Sequence, residues 1–105
     1  MNTGHEGGCG TVHANAAADV VARIEALGAL AGLPRDAIHA QFSSAVDVVV
    51  HMRRADGTRI VDSVGVVKVS SAGVPRVVPA LVCPGHGAPD RSAQERLATL
   101  CGVVA

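Results

Sequence analysis

The residue types most suited to chemistry are concentrated at the beginning of the chain. Thr3-Gly4-His5-Glu6-Gly7 precedes Thr11-Val12-His13-Ala14-Asn15, with three residues between the two strings. The second string leads into an Ala-rich segment, and N–H groups at the start of a helix bind anions, as hydroxyl, amide and imidazole donors also do. The pattern indicates an anion or phosphate site. Turn glycines followed by a helix cap are the commoner origin of such spacing, so both interpretations stay open at this point.

The elements that would position these side chains begin with a strand and two helices. Residues 9–14 have the composition of a short strand, and Asn15 occupies the place of a helix N-cap. Apolar residues at helical spacing predict a first helix over residues 16–31. Pro34 would open a second helix that runs to about Ala45.

After residue 45 the spacing of the apolar residues no longer fits a helix, and the rest of the chain predicts a β-meander with a short terminal helix. The β-branched runs 46–54 and 59–69 flank a Gly-containing turn, and residues 74–83 form a weaker strand that its prolines confine to a sheet edge. Ser92, with Glu95 three residues later, predicts a capping box for the last helix. The predicted fold class is therefore α/β.

Composition limits the chain to one domain with a weak core. Its 105 residues are 49% hydrophobic and 17% charged, which excludes a disordered tail. Val and Ala occur 18 times each and Phe42 is the sole aromatic residue. Burial of each of these small side chains therefore contributes little free energy to folding. We expect a marginal or self-associating chain. The net charge of zero predicts no nucleic-acid partner, and no apolar run approaches the roughly 20 residues of a membrane span.

Cysteine and histidine spacing raises zinc binding as an alternative. The three cysteines are too few and too odd in number for a disulfide framework. His5, Cys9 and His13 are spaced four apart, which suits ligands on a helix, but the surrounding glycines argue against a helix there. Cys83 and His86 form a separate Cys-x-x-His loop. We predict no metal site, and a small zinc-binding domain stays the alternative.

The strings TGHEG and TVHAN, the Arg-Ile-Glu run of the first helix and the later SSAVDVVV together resemble one protein family. They are similar to the secretion ATPases of the type II/type IV superfamily, specifically the CpaF-like branch that powers Tad pilus assembly and conjugal transfer. The similarity covers about residues 2–69. It implies that residues 1–69 are the C-terminal part of a RecA-like P-loop ATPase domain, with a histidine box at 3–15, and that residues 70–105 are an edge strand, a loop and a helical tail.

The resemblance also implies roles for individual residues. His5 and His13 match the two histidines of the box, Glu6 its carboxylate, and Arg23 the arginine of the following helix; these are the catalytic candidates. Thr3, Gly4 and Asn15 match its neighbours and would contact the nucleotide. A histidine beside developing phosphate charge acts as a donor. The structural alternatives are a turn for Thr3 and Gly4, a simple N-cap for Asn15, and an ion pair between Arg23 and Asp19.

The chain lacks the motifs that bind and hydrolyse ATP in this family. A P-loop requires G-x-x-x-x-G-K-[ST], yet the sole lysine, Lys68, lies in a strand-like run without a glycine loop. No apolar strand ending in an acidic pair precedes the histidine box. We therefore expect Met1 to be an internal methionine of a truncated or split motor subunit that is inactive alone.

The resemblance implies ATP and Mg²⁺ as cofactors of the family, and none is expected for the isolated chain. It also implies homologous ring-forming ATPase subunits and inner-membrane platform proteins as partners. The expected location is the cytoplasm, peripheral to the inner membrane. The alternative function is a non-enzymatic fragment that docks on an intact secretion ATPase.

Overall fold

A computed structural model describes residues 10–84 and 87–102 of the chain. Helices lie on both sides of a single sheet, and a 3₁₀ turn at Ala17–Asp19 leads into the first helix. The elements in chain order are α1 (Val20–Leu30), α2 (Arg35–Ala45), β1 (Val48–Ala55), β2 (Thr58–Val69), β3 (Pro75–Val82) and α3 (Arg91–Leu100). The α/β class and the order of two helices, a meander and a terminal helix are confirmed.

The sheet is antiparallel in the strand order β1-β2-β3. Asp56 and Gly57 join the first two strands with φ values of 49° and 77°. Two consecutive positive φ values define the type I′ turn whose twist matches that of a hairpin, which is why an Asp-Gly pair stands there. β3 is an edge strand of this sheet, as its prolines predict.

The two faces of the sheet carry different apolar clusters. On one face, α3 places Ala93 and the partly buried Leu97 against Val66, Val78 and Ala80. On the other face, Phe42 of α2 packs with residues of α1 and of the sheet. Its neighbours there are Val20, Val21, Ala14, Ile24, Val46, Val49, Val67 and Val77. Helices on both faces explain how Val66 is fully buried while its neighbour Val67, on the opposite face, is also partly covered.

The strand predicted at residues 9–14 is wrong for the part that the structure describes. Residues 10–14 form no regular structure, and none of the described strands pairs with them. A β-strand is stable only when a neighbour accepts its backbone hydrogen bonds, and this segment lacks one among the described residues. Val20 is buried in the cluster around Phe42, whereas Leu27 is 43% exposed.

The helix caps also differ from those predicted. Asn15 is not a cap: the 3₁₀ turn starts after Ala16, and neither Ala16 nor Asp19 makes a side-chain capping bond. Asp90 caps α3 by accepting the Ala93 N–H at 2.9 Å, so the cap lies two residues before the predicted Ser92 and the predicted capping box with Glu95 is not formed. The Ser92 hydroxyl donates to the Asp90 carboxylate at 2.7 Å instead. The Asp90 Oδ2 therefore accepts from both the Ser92 hydroxyl and the Ala93 N–H.

Candidate functional site

The predicted site is only partly within the described residues. Thr3, Gly4, His5 and Glu6 lie outside them. His13 is in the irregular segment, Asn15 is at the bend just before the 3₁₀ turn, and Arg23 is the fourth residue of α1. All three side chains are exposed. The described part of the histidine box therefore faces solvent at the start of the first helix.

The side chains of His13, Asn15 and Arg23 have no partner within residues 10–84 and 87–102. No side-chain hydrogen bond or ion pair joins any of them to a described residue, and the alternative ion pair between Arg23 and Asp19 is not formed. The structure thus places these donors on the same end of the chain without bringing them into direct contact. Exposed imidazole, amide and guanidinium groups have the donor chemistry that phosphate oxygens require.

Two charged residues and a buried histidine fix the position of α1 against α2. The Arg35 Nε donates to the Glu25 Oε2 at 2.7 Å, and the His39 Nε2 lies 3.5 Å from the same oxygen. His39 is only 5% exposed, and its Nε2 has no hydrogen-bond partner among the described residues. At 3.5 Å the His39 contact with Glu25 is too long for a good hydrogen bond, so the carboxylate is held mainly by Arg35.

An open cleft of about 410 Å³ lies between α2 and the turn that joins β2 to β3. Its polar lining comes from Arg35, Asp36, His39 and Ser43, and one charge of each sign gives it no net charge. Of the predicted site residues that the structure describes, His13, Asn15 and Arg23, none lines the cleft.

A polar cluster at the far end of the sheet was not predicted from the sequence. The Arg53 Nε donates to the Asp62 Oδ1 at 2.8 Å, and its Nη2 lies 3.5 Å from the Cys83 sulfur. The His51 Nδ1 is 3.3 Å from the other Asp62 oxygen. The contact with Cys83, and then that with Asp62, raises the pKa of Arg53 above its ordinary value, against the opposing effect of burial.

The position of Asp62 explains why this cluster escaped prediction. The register between β1 and β2 shifts after His51, so that Met52 faces Val61 and Asp62 has no opposite residue. Such a bulge re-aims a side chain, and no local sequence signal marks it here.

Cys83 lies beside Arg53 rather than among several ligand residues, and no group of three or more metal-ligand side chains occurs within the described part of the chain. The zinc alternative involves His5, Cys9 and His86, which are not described.

The only lysine of the sequence has a structural position. Lys68 lies in β2, and its ammonium donates to the Ser92 hydroxyl of α3. A P-loop lysine stands instead in a glycine-rich loop at a helix start, where it reaches the nucleotide phosphates. Lys68 therefore links the sheet to α3 and is not positioned as a P-loop lysine.

Among the described helices, none is long and apolar enough to cross a membrane.

Comparison with known proteins identifies the family. The model of the family described as "Type II/IV secretion system protein" matches residues 1–77. Relatives from two strains of Mycobacterium tuberculosis, both named "Putative conjugal transfer protein", are 61% identical over 54 residues. This match covers 51% of the present chain and 15% of each relative, so the chain corresponds to a small part of their length. No solved structure matches significantly. Because the family model covers well over half of its residues, the chain belongs to the type II/IV secretion system protein family.

Proposed function

We propose that this chain is a component of an ATP-driven secretion or pilus-assembly motor of the CpaF-like branch and does not hydrolyse ATP by itself. Residues 1–69 would be the C-terminal part of a RecA-like domain, and residues 70–105 its edge strand and helical tail. Family membership supports the motor. The position of Lys68 supports the proposal that the chain does not hydrolyse ATP by itself, because this lysine lies in β2 and contacts Ser92.

The proposed role of the histidine box is to contact the phosphates of a nucleotide whose P-loop belongs to another polypeptide. His5, Glu6, His13 and Arg23 would act at the phosphates, with Thr3, Gly4 and Asn15 beside them. Exposure of His13, Asn15 and Arg23 supports this proposal, because a contact across a subunit boundary requires side chains that reach solvent. ATP with Mg²⁺ would supply the phosphoryl group, and the partner subunit its P-loop.

Homologous ATPase subunits and inner-membrane platform proteins are the proposed partners, at the cytoplasmic side of that membrane. The non-enzymatic alternative is a fragment that binds an intact ATPase without contributing to its nucleotide site. Exposed apolar side chains favour an interaction role of either kind, since Leu30 is 86% and Leu33 46% exposed.

Co-purification with a full-length M. tuberculosis relative separates the two functions. If the box contacts nucleotide, the amount of complex rises when Mg²⁺ and ATP are added. His13→Ala and Arg23→Gln should lose this rise, whereas Arg59→Gln, a change at an exposed arginine of β2, should keep it. A complex that forms equally without nucleotide supports the docking fragment. If no complex forms under either condition, both functions are contradicted.

A further inference from the structure

The two edges of the sheet differ in their protection against further pairing. β3 carries Pro75 and Pro79, which cannot donate backbone hydrogen bonds, whereas β1 contains no proline. The Asp47 C=O accepts the Val67 N–H at 3.0 Å and so points toward β2. Because backbone groups alternate along an antiparallel strand, those of Val48, Val50 and Met52 point outward. No described residue forms a backbone hydrogen bond to them.

The side chains beside this open edge are apolar and incompletely covered. Val48 lies opposite Val66, which packs under α3, so alternation places Val50 and Met52 on the same face. That face continues onto the central strand, because Met52 lies opposite Val61. Val50, Met52 and Val61 are 51%, 43% and 49% exposed, respectively. An unprotected edge with apolar side chains next to it is a template for an additional strand.

We propose that a second copy of this chain supplies that strand, through antiparallel pairing of β1 with β1 about a two-fold axis at Val50. In this register Val50 faces Val50 of the second copy, and Val48 faces Met52 of the second copy. The exposed Asp47 then lies opposite Arg53 of the second copy, and the two-fold axis repeats this pair of opposite charges. Moving the axis to His51 would instead bring Arg53 opposite Val49. Charge complementarity therefore selects Val50 as the centre.

The pairing would convert two three-stranded sheets into one continuous six-stranded sheet. It would satisfy the outward N–H and C=O groups of β1 and bring the apolar side chains of both copies onto one face. Asp47 is available for the contact, since its carboxylate forms no ion pair with any residue that the structure describes. Arg53 keeps its bond to Asp62, because its Nε is used there and other guanidinium N–H groups remain.

Sedimentation equilibrium of the full chain, with two matched lysine variants, tests the proposal. The unmodified chain should be a dimer in reversible equilibrium with monomer. Val50→Lys places two ammonium groups opposite each other at the axis and should weaken dimerisation by about tenfold or more. Leu81→Lys, at a similarly exposed position on β3 at the opposite edge of the sheet, should leave the dissociation constant within about threefold of the unmodified value.

Hydrogen exchange gives a second measurement that does not depend on a variant. The Val50 amide should exchange more slowly as the concentration of the unmodified chain rises, and the Leu30 amide on α1 should not respond to concentration. A monomeric unmodified chain, or a dimer that Leu81→Lys dissociates and Val50→Lys does not, would overturn the proposal. This test uses no nucleotide and no second protein, so its result is separate from that of the motor function.

Discussion

Replacing Phe42 with Ala should remove the largest part of the core between α1, α2 and the sheet. Phe42 is 7% exposed, and its cluster includes Val20 and Val21 from α1 and Val67 and Val77 from the sheet. Truncating a buried Phe costs about 3–5 kcal/mol, because transfer energy is lost and a cavity remains. A chain of this length has a total unfolding free energy of about 5–15 kcal/mol. We therefore expect Phe42→Ala to lose between about a fifth and all of the stability.

Urea unfolding followed by far-UV circular dichroism measures this loss. Phe42→Leu should cost only about 1 kcal/mol, because most of the apolar volume is kept, and it remains measurable if the Ala variant is unfolded. Leu30→Ala is the control, since Leu30 is 86% exposed and its truncation should change the free energy by less than about 0.5 kcal/mol. A loss below about 1 kcal/mol for Phe42→Ala would refute the packing described for α2.

Two further predictions concern the sheet and α3. Gly65→Ala should destabilise the chain by about 1–3 kcal/mol, because the new Cβ would overlap the Val77 Cγ1. Gly10→Ala, whose new Cβ would meet no heavy atom of a described residue within 4 Å, should be neutral, and equal melting temperatures for both variants would contradict this. The Ser92 hydroxyl and then the Ala93 N–H hold the pKa of Asp90 below its ordinary 3.8. The stabilisation is therefore fully present above pH 3.8 and is lost as the pH falls through the lower folded value. Asp90→Asn should unfold with a shallower pH dependence in that acidic range, and an unchanged dependence would exclude Asp90 as its source.

Elements with local signals were predictable from the sequence. The second helix follows Pro34 and ends at Ala45, as the helical spacing of its apolar residues indicates. The Asp-Gly turn fixed the hairpin, and proline positions placed β3 at an edge. Each of these features depends on the conformational limits of a few neighbouring residues, which are the same in any fold.

Features that depend on distant partners were not predictable. Residues 9–14 have strand composition, but composition does not provide a neighbouring strand, and residues 10–14 are irregular. Asp90 and Ser92 are both good cap residues, so the sequence alone does not distinguish them. Asp90 is the cap because α3 begins at Arg91 in the packed structure. The cluster of Arg53, Asp62 and Cys83 forms across three segments through a bulge. The candidate site rests on the family resemblance, and the roles of its residues stay predictions.

The most direct measurement of the central claim is Mg²⁺-dependent ATP hydrolysis by the purified chain alone. With Lys68 in β2 and in contact with Ser92, we predict phosphate release no faster than in buffer without protein. His5→Ala provides the control that distinguishes this chain from a contaminating ATPase, because a contaminant's activity would be the same in both preparations. Hydrolysis above background that requires Mg²⁺ and disappears in His5→Ala would show a complete active site in this chain and contradict the account.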